Sequence, residues 1–230
     1  KPMPKVYAIA ESNDISRSHL SLFGQSMEVK QRETAKEQME YLLNTFKDGR
    51  EYGSILNVEE CDWELLQDYV EDLDADGQIT FESYGSEETQ KSLRLLIKVA
   101  KNLGQKYDAV VTNPPYMGAS NMNADLSKFI KDNYADYKSD FFSAFIVKCT
   151  HMAKITGYLG FLTPYVWMFI QSYEKLRNYL FTKTTIEKLI QFEYSAFEEA
   201  TVPICTFVLK NSYVDKKGCY LRLTDFRGGM

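Results

Sequence analysis

Residues 107 to 118 read YDAVVTNPPYMG, and no other stretch restricts the fold of this chain as much. The apolar run Ala109-Val110-Val111 lacks polar alternation, the pattern of a strand covered on both faces in a parallel sheet. Pro114 and Pro115 then stop it, because proline fixes φ and has no N–H for a ladder. Parallel neighbours need crossover connections of a dozen or more residues, so helices must flank this strand.

The sequence supplies them. On the near side, Glu87–Leu103 reads as a helix closed by Gly104 in the cap position. On the far side, Ala124–Asn133 is a short helix, and Ser139 or Asp140 can cap another. That helix has its apolar positions at Phe142, Phe145, Ile146, Cys149, Met152 and Ala153. A glycine turn at Gly157 feeds a strand at Tyr158–Leu162, Tyr173–Thr182 is helical, and Ile186–Phe192 and Ile204–Leu209 are strands, with Tyr220–Phe226 as one more candidate. The last two strands are joined by about eleven residues without helical pattern, too few for a usual crossover, so they pair antiparallel. The expected class is α/β. Residues 1–105 form a mostly helical segment with one edge strand at Lys5–Ala10. Met27–Phe46 and Trp63–Leu73 are its other helices and Tyr52–Val58 a strand or turn; residues 106–230 form the sheet.

Apolar residues are 44% of the chain, enough to bury a core. Four cysteines without a C-x-x-C pair and only two histidines argue against a disulfide framework or a metal site. The most apolar run, Ile155–Ile170, is too short to span a bilayer and holds Gly157, Gly160 and Pro164. With no visible signal peptide, a cytoplasmic protein away from membranes is expected. The net charge of −5 hides an asymmetry: residues 140–230 hold 11 Lys/Arg against 8 Asp/Glu, residues 1–139 hold 16 against 24. The later part is where a nucleic-acid phosphate would be tolerated.

The tetrapeptide Asn113-Pro114-Pro115-Tyr116 falls at the carboxyl end of a strand, where open α/β sheets bind ligands. Asn113 brings a carbonyl acceptor, Pro114 and Pro115 a stiff turn presenting carbonyls, and Tyr116 a flat face. Two acceptors beside an aromatic plate suit a planar ring with an exocyclic NH2, whose N–H bonds are held while its lone pair is aimed elsewhere. The plainer reading, a strand-ending loop with asparagine as a turn former, stays open on four residues.

The tetrapeptide resembles the N-P-P-Y motif of methyltransferases that act on amino groups with S-adenosyl-L-methionine, above all DNA adenine-N6 methyltransferases. The stretches SDFFSAFIVKC, GYLGFLTPYVWM, SYEKLRNYLF, IEKLIQFE and FEEATVPICTFVLKN follow in the order those enzymes show. The resemblance is greatest to the large adenine-specific methyltransferases of BREX-like phage-defence and type IIG restriction systems. It implies a Rossmann-like class I methyltransferase sheet with an antiparallel terminal strand. It also implies double-stranded DNA as partner, in a prokaryotic cytoplasm. Asn113 and the Pro114 carbonyl would bond the N6 amino group of a flipped adenine, Pro115 would stiffen the loop and Tyr116 would stack on the base. Phe197 occupies the place of a second stacking aromatic, and Asp140 and Phe141 line the substrate pocket, Asp140 being equally a helix cap.

Members of that family carry a Gly-x-Gly turn for the methyl donor, and this chain has none. The expectation is therefore a piece of a catalytic domain, lacking the first cofactor-binding strands. The residues for the methyl donor stay unassigned, and an exposed strand edge invites self-association. Two other functions compete: methyl transfer to a protein glutamine amide or to RNA, and a non-catalytic nucleic-acid or calcium module. For calcium, Asp72 to Ser83 imitates an EF-hand loop but places Ser83 where the bidentate glutamate belongs.

Overall fold

The computed structural model describes residues 3–73, 85–193 and 202–224, and the chain divides into two compact units, residues 1–105 and 106–230.

The regular elements of the first unit are helices joined by coil and short 3-10 turns: α1 (Val29–Thr45), α2 (Gly49–Tyr52), α3 (Trp63–Glu71) and α4 (Ser86–Gly104). On α1 the buried positions Ala35, Met39, Leu42 and Leu43 lie three or four apart, one stripe of a 3.6-residue helix. They join Leu66, Tyr69 and Val70 of α3 and Leu93, Leu96 and Ile97 of α4 in one core. Each such side chain contributes about 1.5–3 kcal/mol when removed from water. The Tyr69 hydroxyl, buried with its ring, donates to the Leu20 carbonyl. Gly24 makes room for that ring: its φ is +67°, and a Cβ there would stand 2.7 Å from Tyr69 Cδ2.

Three expectations for this unit need correction. Lys5–Ala10 forms no strand: it makes no ladder with any strand among the described residues, and Val6 stands in solvent. Tyr52–Val58 is the end of α2, a short 3-10 turn and coil, not a strand. Gly104 is the last residue of α4, without the positive φ of a glycine cap, and Gln105 is the cap. Of the calcium-like stretch Asp72 to Ser83, all but Asp72 and Leu73 lies outside the described residues. Its first carboxylate, Asp72, is engaged with Ser26: Oδ2 accepts from the backbone N–H at 2.7 Å and from the hydroxyl at 2.8 Å.

The second unit is an α/β layer structure. Its strands are β1 (Tyr107–Thr112), β2 (Ala153–Pro164), β3 (Thr185–Gln191), β4 (Ile204–Lys210) and β5 (Cys219–Arg222), in the spatial order β1-β2-β4-β3-β5. β1 runs parallel to β2, β4 is antiparallel to both β2 and β3, and β5 is parallel to β3. The short β3–β4 connection thus makes the antiparallel pair its length demands. β4 sits inside the sheet, and β5 forms the edge. Helices α5 (Ala124–Asn133), α6 (Phe141–Met152) and α7 (Glu174–Lys183) provide the connections. Phe161, Phe207 and Trp167 form the aromatic centre, with ring centroids 5.2 and 5.1 Å apart.

β2 begins earlier than its glycine suggests. It pairs Ala153 with Tyr107 and then Tyr158 with Ala109, so the ladder bulges around Gly157. A Cβ at Gly157 would lie 3.0 Å from the carbonyl oxygens of Tyr107, Asp108 and Lys154, which explains the glycine. Asn211 ties this bulge down, its side-chain amide reaching the carbonyls of Thr150, Ala153 and Lys154 at 2.9–3.1 Å.

β1 departs from the expectation of a strand covered on both faces. It pairs only with β2 among the described residues, Ala109 is exposed, and Val111 is 81% exposed. Its unbroken apolar run is the pattern of an interior strand placed here at an edge.

Candidate active site

The residues of the N-P-P-Y loop leave β1 at Thr112, cross the end of β2 and are tied to α6. Pro114 is buried, Asn113 and Pro115 are exposed, and Tyr116 is 38% exposed. The Tyr116 hydroxyl donates to Asn113 Oδ1 at 2.7 Å and lies 3.2 Å from the Leu162 carbonyl of β2. The motif therefore orients its own asparagine: Tyr116 fixes which way the amide faces and occupies one of the two lone pairs on its oxygen. Burial, with the nearby Cys205 thiol adding to it, pushes the Tyr116 hydroxyl above its ordinary pKa, so it stays a donor at neutral pH.

Asp140 holds the other end of the loop. Its Oδ1 accepts from the backbone N–H of Phe142 at 3.1 Å, capping α6, and from that of Met117 at 3.1 Å. Phe141 N–H donates to the Met117 carbonyl at 2.9 Å, and Gly118 bridges Asp140. Burial raises the Asp140 carboxyl above the ordinary aspartate value, and the N–H groups of Phe142, Met117 and Phe141 pull it back. One side chain thus serves both as helix cap and as the clamp fastening the motif loop to α6. Asp140→Ala is expected to lower stability by about 1–2 kcal/mol. Asp140→Asn, whose amide oxygen can accept the same bonds, should lose much less; urea melts of the two variants check this.

Phe141 is buried and meets Phe145 edge-on at 4.9 Å. The ring beside Tyr116 is that of Phe142, at 6.4 Å and 86°, and Phe142 stacks in turn on Tyr173 at 5.5 Å and 25°. In the sequence Phe142 stands as an apolar helix position and Tyr173 as the start of a helix, neither as a site residue. The available signal was the pair of aromatics directly after the capping Asp140, one of which must face the loop that Asp140 binds. Phe197 lies outside the described residues. The connection that carries it leaves β3 at Gln191 and returns at Ile204, paired through Cys205 to Thr163 at the same end of the sheet as Leu162.

No three His, Cys, Asp or Glu side chains come together as a metal site among the described residues, and no helix there is long and apolar enough to cross a membrane. For a methyl donor, the described glycines with positive φ are Gly24, Gly53 and Gly85, all in the first unit and none following one of the five strands. Among the described residues, no glycine of positive φ stands at the end of a strand as in the glycine turn of a nucleotide-type cofactor site.

The sequence profile of the Eco57I restriction-modification methylase family matches residues 8–197. The chain belongs to this family. Its curated relatives include the adenine-specific methyltransferase PglX of Lacticaseibacillus casei, 35% identical over 191 residues, which are 80% of this chain and 16% of that protein. The adenine-specific methyltransferase BrxX of Escherichia coli is 33% identical over 190 residues, 80% of this chain and 15% of BrxX. The type II restriction enzyme and methyltransferase RM.Eco57I of Escherichia coli is 30% identical over 128 residues, 53% of this chain and 13% of its own. The chain thus spans about a sixth of the length of PglX and BrxX. Within the family match fall the motif loop, its Asp140 clamp and the Phe142–Tyr173 stack, all of them in the second unit.

Proposed function

We propose that this chain is the part of a DNA methyltransferase that holds the target adenine, in an enzyme of restriction-modification or phage defence. The observation that carries this reading is the Tyr116–Asn113 hydrogen bond at the carboxyl end of β1, in a family whose curated relatives are named as adenine-specific methyltransferases.

Adenine N6 lies inside the duplex and must be turned out of the stack to reach any such pocket. The N6 hydrogens then donate to the free lone pair of Asn113 Oδ1 and to the Pro114 carbonyl. The nitrogen lone pair, freed from the plane of those bonds, points away from both acceptors. S-adenosyl-L-methionine supplies an electrophilic methyl on a sulfonium when bound. The chain's own residues orient the amino group, shield it with Tyr116 backed by Phe142, and accept hydrogen bonds that strengthen as N6 gains positive charge. Phe197 is the proposed second plate, and Phe141 supports the pocket from behind.

The test is to incubate the full-length protein with duplex DNA and S-adenosyl-L-methionine, digest the DNA to nucleosides and identify the product by mass spectrometry. N6-methyladenine is expected. Methyl found instead on RNA or on a glutamine-bearing protein would overturn the proposal. A companion pair separates the two roles of Tyr116. Tyr116→Phe keeps the plate and loses the bond to Asn113, so turnover should fall about tenfold, the scale of one hydrogen bond. Tyr116→Ala, which loses both, should fall at least ten times further in kcat, with stacking contributing about 1–3 kcal/mol per base.

A further inference from the structure

Beside the motif loop lies a cavity of about 220 Å³, and nothing in the adenine-holding role uses it. One wall is the stretch just after Tyr116, at Ala119 and Met122; another is Ser139, beside the Asp140 clamp. The third is one face of α5, where Ser127, Ile130 and Lys131 follow at helical spacing. Ala119 N–H donates to the Ser139 carbonyl at 3.2 Å, so the cavity wall and the motif loop are one piece of backbone.

Its charge is one-sided. Lys131 and Lys138 are the only ionisable residues lining it, both are exposed, and neither forms an ion pair among the described residues. Three lysines elsewhere in this unit are ion-paired, Lys154 with Asp108, Lys175 with Asp136 and Lys216 with Glu187, whereas Lys128, Lys183, Lys188, Lys210 and Lys217 form no ion pair among the described residues and do not line the cavity. The floor is apolar and the space larger than a bare anion needs. Apolar floor with cationic rim fits a sugar-phosphate unit of a polymer better than a free phosphate ion, which would need surrounding donors.

We infer that Lys131 and Lys138 bind backbone phosphate of the DNA strand beside the flipped adenine, with the cavity between them receiving the adjoining sugar. The inference rests on the reading of the chain as a DNA methyltransferase. It goes further by assigning a strand-positioning site to α5 and to the loop before α6.

The experiment measures duplex binding by fluorescence anisotropy across a salt series, with the full-length protein. Each lost phosphate contact lowers the slope of log K against log salt by about 0.9. The Lys131→Gln/Lys138→Gln double variant should therefore lose close to two from its slope and weaken binding alike for all sequences. Lys131→Arg/Lys138→Arg should keep the slope, and Lys216→Gln should leave it unchanged. An unaltered slope in the Gln double variant overturns the inference, as does an equal loss in the Arg double variant. Saturable binding of inorganic phosphate alone, abolished in the Gln double variant, would make this a small-anion site and also overturn it. Wild-type turnover to N6-methyladenine is read separately. Its absence beside a falling slope rejects the methyltransferase reading and keeps the phosphate site, and its presence beside an unaltered slope does the reverse.

Discussion

Asn113→Ala is expected to lower methyl transfer by the full-length protein by roughly 10²–10³-fold in kcat, the scale on which removing one preorganised polar group acts in other active sites. The reason is differential: in the proposed role the Asn113 carbonyl contacts the amino group whose charge changes along the reaction, while DNA affinity comes mainly from phosphates. Affinity for the duplex should therefore hold within a few-fold, and the loss should sit in kcat and not KM. Because Tyr116 binds Asn113 Oδ1 at 2.7 Å, the alanine variant also frees the Tyr116 hydroxyl, which retains the Leu162 carbonyl as its partner. That leaves the ring near its place, so the loss reports the amide. Single-turnover rates measured beside anisotropy binding check this. A drop in affinity matching the drop in rate would mean that Asn113 anchors the strand and does not act on the amino group.

How far the sequence foretold the structure depended on how local each signal was. Asp140 as the cap of α6 was legible because capping needs only a short acceptor followed by an apolar periodic run, and α5 ran at the predicted residues for the same reason. The antiparallel β3–β4 pair followed from connection length alone. The exposure of β1 was not legible, since the apolar run Ala109-Val110-Val111 reports only a strand suited to an interior place, while burial depends on the neighbours the fold sets beside it. Lys5–Ala10 failed similarly: strand propensity is a fit to a pleated neighbour, and no strand pairs with it among the described residues. In the candidate site, the residue types of Asn113 and Tyr116 suggest an acceptor and a plate, but not their mutual hydrogen bond, which is a fact of geometry. The clamp of Asp140 on Met117 and the stack of Phe142 on Tyr173 join residues 23 and 31 positions apart, which no local pattern reports.

A second large effect is expected at Lys148, where the fold holds an ammonium against its own preference. Lys148 lies on α6 and is 3% exposed, and burial lowers its pKa to about 8, with Lys106 adding to the depression and Cys149 opposing it. In the unfolded chain the group returns to 10.5. At about 1.4 kcal/mol per pKa unit, keeping Lys148 charged in the fold costs about 3 kcal/mol below pH 8. The sign follows from proton counting: between pH 8 and 10.5 the unfolded chain binds more protons at this site than the folded one, so stability rises with pH across that window. Lys148→Met retains the apolar stem and removes the charge, and should stabilise the protein by about 1–3 kcal/mol at pH 7, with the gain closing as pH climbs from 8 to 10.5. His151 offers an independent readout. Its pKa is lowered by burial first and then by Lys148 and Lys106, so it should move upward in the variant when followed by NMR. Urea melts at pH 7 and pH 10 decide the matter: a variant less stable at pH 7, or a gap unchanged at pH 10, would mean that the charge of Lys148 is compensated within the fold and the depression does not exist.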